Sequence, residues 1–77
     1  MKHIEVFGPG CAKCVKLFAN VEAAAHELGL DCEVEKVTDI DRMVAAGILM
    51  TPGLAIDGTL VASGRVLSVD ELRSLLA

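Results

Sequence analysis

Gly8-Pro9-Gly10-Cys11-Ala12-Lys13-Cys14 is the stretch that decides the reading of the whole chain. Two cysteines stand three positions apart, behind a turn of Gly, Pro and Gly. Before the turn lies Lys2-His3-Ile4-Glu5-Val6-Phe7, which alternates Ile4 and Val6 against His3, Glu5 and Phe7, the period of a strand. After it, from Ala12 to Leu28, apolar residues recur at Cys14, Val15, Phe18, Val21, Ala25 and Leu28. That is the stripe of an amphipathic helix, with five alanines raising its propensity. Gly29 follows, at the place where a helix commonly ends. A strand, a tight loop and C-x-x-C at the mouth of a helix is an arrangement that suits redox chemistry.

Working outward, Asp31-Cys32-Glu33-Val34-Glu35-Lys36-Val37 reads as a second strand. Its many charges predict a half-solvated sheet edge. Thr38 and Asp41 have the spacing of a capping box for a short helix from about Asp39 to Ala46, burying Ile40, Met43 and Val44 and closed by Gly47. Pro52 to Ile56 and Thr59 to Ser63 flank Asp57-Gly58, the signature of a type I′ hairpin. Gly64-Arg65-Val66-Leu67 connects to a last helix, Val69 to Leu76, with Ser68 and Glu71 as its capping box and Val69, Leu72, Leu75 and Leu76 on its apolar face. The order is β-α-β-α-β-β-α. The first two strands, joined by a helix, are expected to be parallel. An α/β fold with a four-stranded mixed sheet flanked by helices accommodates all of this, in one domain over residues 1–77.

The bulk numbers exclude several functions. The 77 residues bury roughly 60% of the surface of the unfolded chain. The 53% apolar content suffices for a core, built of aliphatic residues because the chain has two Phe and no Trp or Tyr. Scarce aromatics and a net charge of −4 oppose nucleic-acid binding. No apolar run approaches the roughly 20 residues of a membrane span, and the first residues lack the pattern of a signal peptide. A cytoplasmic location is the expectation. Three cysteines are too few for a disulfide scaffold, and in a reducing compartment C-x-x-C indicates catalysis or metal.

Gly8-Pro9-Gly10-Cys11-Ala12-Lys13-Cys14, Thr51-Pro52, Ile56-Asp57-Gly58 and Ser63-Gly64-Arg65-Val66 together resemble the thioredoxin-like superfamily in its minimal, glutaredoxin-sized form. More narrowly, the chain looks like the small redox-active disulfide proteins of bacteria and archaea. The resemblance covers the whole length. It implies a thiol–disulfide oxidoreductase or electron carrier, cycling a Cys11–Cys14 disulfide against a protein partner or a dedicated reductase, with no cofactor and as a monomer. The helix N-terminus, Lys13 and Lys16 all favour a thiolate at Cys11, the expected attacking group. Cys14, one turn inside, is the expected resolving thiol. By the same resemblance Pro52 is cis, Thr51 offers backbone groups to substrate, Gly10 and Lys13 border the site, and Glu5 stands where thioredoxins carry a buried carboxylate able to take a proton from Cys14. A strand-edge carboxylate in solvent is the other reading of Glu5.

Two departures mark this chain. Gly10 stands where thioredoxins have Trp, and Ala12-Lys13 separates the cysteines. The rim is smaller and more open, which argues for a partner of its own. A second function class stays open at this stage: Cu(I) or zinc held by Cys11 and Cys14, with Cys32, His3 and His26 completing the ligand set. A third is an interaction domain without catalysis. Cys32 itself reads as a small hydrophobe on the second strand.

Overall fold

A computed structural model describes residues 2–10 and 12–77. Cys11, on which the attacking-thiol expectation falls, lies outside the described residues. The elements run β1 (Lys2–Phe7), α1 (Ala12–Leu28), β2 (Cys32–Val37), α2 (Ile40–Ala45), β3 (Gly53–Ile56), β4 (Thr59–Ser63) and α3 (Val69–Leu76). They form one four-stranded sheet in the order β2-β1-β3-β4. β1 and β2 are parallel, with Ile4 opposite Val34 and Val6 opposite Lys36. β3 runs antiparallel to β1 and to β4. β2 is an edge strand, as its charges predict.

Alternation along β1 assigns its side chains to two faces. Ile4 and Val6 meet Leu17, Val21, Ala24 and Ala25 of α1 and Leu72 and Leu76 of α3, together with Leu54 and Leu67. Phe7 joins Val37, Met43, Ile48 and Ala55 on the other face, beneath α2. Local chemistry fixes the ends of the elements. Leu30 N–H bonds Ala25 C=O at 3.0 Å and Gly29 N–H bonds His26 C=O at 3.1 Å, the paired bonds of a Schellman motif closing α1. Asp57 and Gly58 both take positive φ, 51° and 84°, as a type I′ turn requires. The Asp57 carboxylate also accepts from His3 N–H at 2.9 Å, tying the hairpin tip to β1. Ser68 and Glu71 form the reciprocal capping box at the start of α3.

Four expectations change. In α1 the buried line runs through Cys14, Leu17, Val21 and Ala24, while Val15 is 55% and Leu28 37% exposed. Both lines have helical spacing; the sheet selects the one that includes Leu17. In α2 only Met43 is buried, with Ile40 and Val44 in solvent, because a six-residue helix turns one narrow face inward. Its cap is the Asp39 carboxylate, which accepts from Asp41 N–H at 2.9 Å, not Thr38. In α3, Leu75 lies outside the buried Leu72–Leu76 line.

Candidate active site

β1 continues one residue beyond its last side chain: Gly8 N–H donates to Val37 C=O at 2.9 Å. The chain then turns through Pro9 and Gly10, the latter at φ 90°. α1 begins at Ala12 and carries Cys14 into the protein, where it is 6% exposed. The cysteine sulfur lies directly over Gly8. A Cβ at position 8 would fall 2.1 Å from Cys14 Sγ and 3.8 Å from Thr51 Cβ. Gly8 is glycine for space: any side chain would take the volume of the thiol.

Thr51 approaches the same glycine. The Thr51–Pro52 bond is cis, in keeping with the resemblance, and Pro52 is fully buried. Two hydrogen bonds fix the flanks of this loop. Ser63 Oγ donates to Met50 C=O at 3.0 Å, and Gly64 N–H donates to Pro52 C=O at 2.8 Å. Neither the N–H nor the C=O of Thr51 is engaged in a hydrogen bond among the described residues. Leu49 and Met50, just before it, are 95% and 65% exposed.

A shallow depression opens beside Cys14, lined by Val6, Gly8, Gly10, Val15, Lys36 and Thr38. Lys36 comes from β2, placed there by its register opposite Val6, and its Nζ lies 4.6 Å from the centre of the Phe18 ring. On the other flank of the first turn of α1 a second depression is lined by Ala12, Lys13, Lys16 and Val66. Asn20 Nδ2 donates to Leu67 C=O at 3.0 Å and so holds the segment carrying Val66 against α1.

The expected residues are thus partly gathered. Gly10, Cys14 and Thr51 lie around Gly8, and Lys13 borders the second depression. Glu5 is elsewhere. It sits on the α2 face of the sheet, where its carboxylate is 2.7 Å from Arg42, whose guanidinium also bonds Glu35 at 2.7 Å. The Arg42 hydrogen bond holds the Glu35 carboxyl below its usual value and raises the guanidinium. Gly8 and Lys36 were not picked out from sequence. Gly8 reads there as turn punctuation, though its place between strand and C-x-x-C was a usable signal; Lys36 is 22 positions from Cys14 and needs the β1–β2 register to be placed.

Among the described residues, the group of ligand-type side chains within 4.8 Å of one another is His3, Glu5 and Glu35, which contains no cysteine. Arg42 already bonds both of its carboxylates. His3 lies 3.7 Å from Glu33 and 3.5 Å from Glu35, and His26 is exposed in the last turn of α1.

Comparison with known proteins agrees with this geometry and gives the metal reading no support. A family model described as a thioredoxin domain matches residues 2–77. A thioredoxin of Methanothermobacter thermautotrophicus is 43% identical over 77 residues, covering 100% of both chains. A thioredoxin of Methanocaldococcus jannaschii is 42% identical over 76 residues, covering 99% of this chain and 87% of that one. Among solved structures, the thioredoxin-2 described as a component of malaria parasite protein secretion machinery superposes with a TM-score of 0.72 over 99% of this chain and 81% of its own. At 18% identity that likeness concerns the fold.

Proposed function

From the premise that the chain belongs to the thioredoxin domain family, whose general function is thiol–disulfide exchange, we propose that Cys11 and Cys14 are its redox pair. The observation that supports this most is the convergence of Cys14 Sγ and Thr51 on Gly8. It puts a sulfur in the first turn of α1 next to a backbone segment whose hydrogen-bonding groups are unused among the described residues.

In the reductive direction the Cys11 thiolate attacks one sulfur of a partner disulfide. The partner S–S bond breaks, a mixed disulfide forms, and the second partner sulfur leaves as a thiolate that takes up a proton. Cys14 then loses its proton and attacks Cys11 Sγ. The Cys11–Cys14 disulfide closes as the bond from Cys11 Sγ to the partner sulfur first attacked breaks; that sulfur leaves as a thiolate and takes up a proton, so two electrons reach the partner and each of its sulfurs gains one proton. The opposite direction reverses each step. Either makes the protein an oxidoreductase or electron carrier without a cofactor, working as a monomer in the cytoplasm. No helix among the described residues is long and apolar enough to cross a membrane. The whole of 1–77 acts as one domain.

Thr51 takes the role of docking backbone, pairing with an extended partner segment, with Pro52, Gly10 and Lys13 at the border. For Glu5 the pairing with Arg42 supports a part in tying α2 to the sheet in preference to proton transfer at Cys14. Trapping tests the assignment. Cys14→Ser incubated with a peptide disulfide accumulates a mixed disulfide at Cys11, and Cys11→Ser accumulates none. The reverse pattern exchanges the two roles, and no adduct with either variant refutes the pair.

A further inference from the structure

The cations of this acidic chain are unevenly engaged. Of its seven Lys and Arg, Arg42, Arg65 and Arg73 each pair with one or two carboxylates, and Lys2 stands 4.0 Å from Asp57. The other three are Lys13, Lys16 and Lys36. None of them lies within 4.0 Å of a carboxylate among the described residues. All three line the two depressions beside the first turns of α1: Lys36 on the flank with Cys14 and Gly8, Lys13 and Lys16 on the flank with Val66. No acidic residue lines either depression, and no Asp or Glu occurs in the sequence between Glu5 and Glu22. A protein of net charge −4 therefore gathers the lysines that lack a carboxylate partner among the described residues on the two flanks of the helix that carries Cys14.

We infer that the partner presents its reacting cysteine on an extended acidic protein segment, with Asp or Glu on both sides of that cysteine. The inference rests on the dithiol reading above and deepens it. Carboxylates on one side of the cysteine meet Lys36, and those on the other meet Lys13 and Lys16. The lysines stand on both flanks of α1, an arrangement that suits a chain running across the mouth of the helix. The segment's backbone is served by Thr51, and its apolar side chains by Val15, Leu49 and Met50, exposed around the same loop. Opposite charges of this kind raise association rates and select among partners, and salt weakens both effects. The negative charge over the rest of the surface repels the same partner in other orientations, which confines productive encounters to this face.

The test uses the reduced full-length protein and three symmetric disulfide-linked peptides, identical except for residues flanking the cysteine: Glu, Ser or Lys. Each second-order rate constant is divided by that of dithiothreitol with the same peptide, which removes intrinsic reactivity. The expected Glu-to-Lys ratio is about tenfold or more at low ionic strength. It falls toward one at about 1 M salt, where the Debye length is about 3 Å. In the Lys16→Gln/Lys36→Gln double variant the low-salt ratio also falls toward one. Equal rates for the Glu and Lys peptides at low salt overturn the inference while leaving the dithiol reading intact. An equal advantage for dithiodiglycolate, a small dianionic disulfide, overturns the protein-segment assignment. Failure to reduce even the Ser peptide refutes the dithiol reading itself.

Discussion

The two faces of the sheet are held in different ways. On the α1/α3 face, large aliphatic side chains interlock: Ile4, Leu17, Leu54, Leu72 and Leu76 are each almost wholly buried. On the α2 face a smaller apolar group, centred on Phe7 and Met43, is supplemented by Arg42 bridging Glu5 and Glu35 at the sheet edge. The first face carries the helix that bears Cys14, and its rigidity fixes a sulfur against Gly8. The second closes the sheet and ends near Thr38, at the border of the site. Position-critical chemistry thus sits on the face where packing is non-polar and dense, and exposed ion pairs serve where tolerance is greater.

Substitutions on the two faces put this contrast at risk. Leu17→Ala should cost about 2–5 kcal/mol in chemical denaturation. Met43→Ala, on a partly solvated helix, should cost clearly less; equal losses would break the contrast. Gly8→Ala should lower the disulfide-exchange rate about 100-fold through displacement of the sulfur. Stopped-flow kinetics, with a denaturation curve alongside, separates that from loss of fold. Ser68→Ala removes the cap of α3 and should cost about 1 kcal/mol.

Arg42→Met should have the smallest effect, since exposed pairs contribute little. Its pH dependence identifies it. The folded Glu35 pKa is lowered, so the stabilisation is present above the ordinary carboxylate value of 4.5 and is lost as pH falls through the lower folded value. The gap in melting temperature between wild type and Arg42→Met should be widest near neutrality and close in acid. A gap that widens in acid would refute this account of the pair.

Much of this was legible in the sequence, because its devices are local. Asp57-Gly58, Ser68 with Glu71, and Gly29 each act within a few residues, and each does what its chemistry dictates. The order of elements followed from them and from the periods between them. The face of α1 was less legible: Val15 and Leu17 both fit a helical stripe, and only the sheet beneath decides between them. Ile40 and Val44 misled for a related reason, since hydrophobicity marks what a short helix offers, not what it buries. At the site, the motif pointed to Cys14, and Thr51-Pro52 to the segment that meets it at Gly8. Contacts made by register or by folding back were hidden: Arg42 meets Glu5 across 37 positions, and Lys36 reaches the Cys14 depression through β1–β2 pairing.

The central claim is that Cys11 and Cys14 form one reversible couple. Equilibrium titration across a series of dithiothreitol redox buffers, read by alkylation and mass spectrometry, tests it directly. The account predicts a single two-electron transition, spanning about 30 mV per tenfold change in the oxidised-to-reduced ratio, with Cys11 and Cys14 changing together and Cys32 labelled throughout. No disulfide at any potential, or a disulfide that includes Cys32, would contradict it.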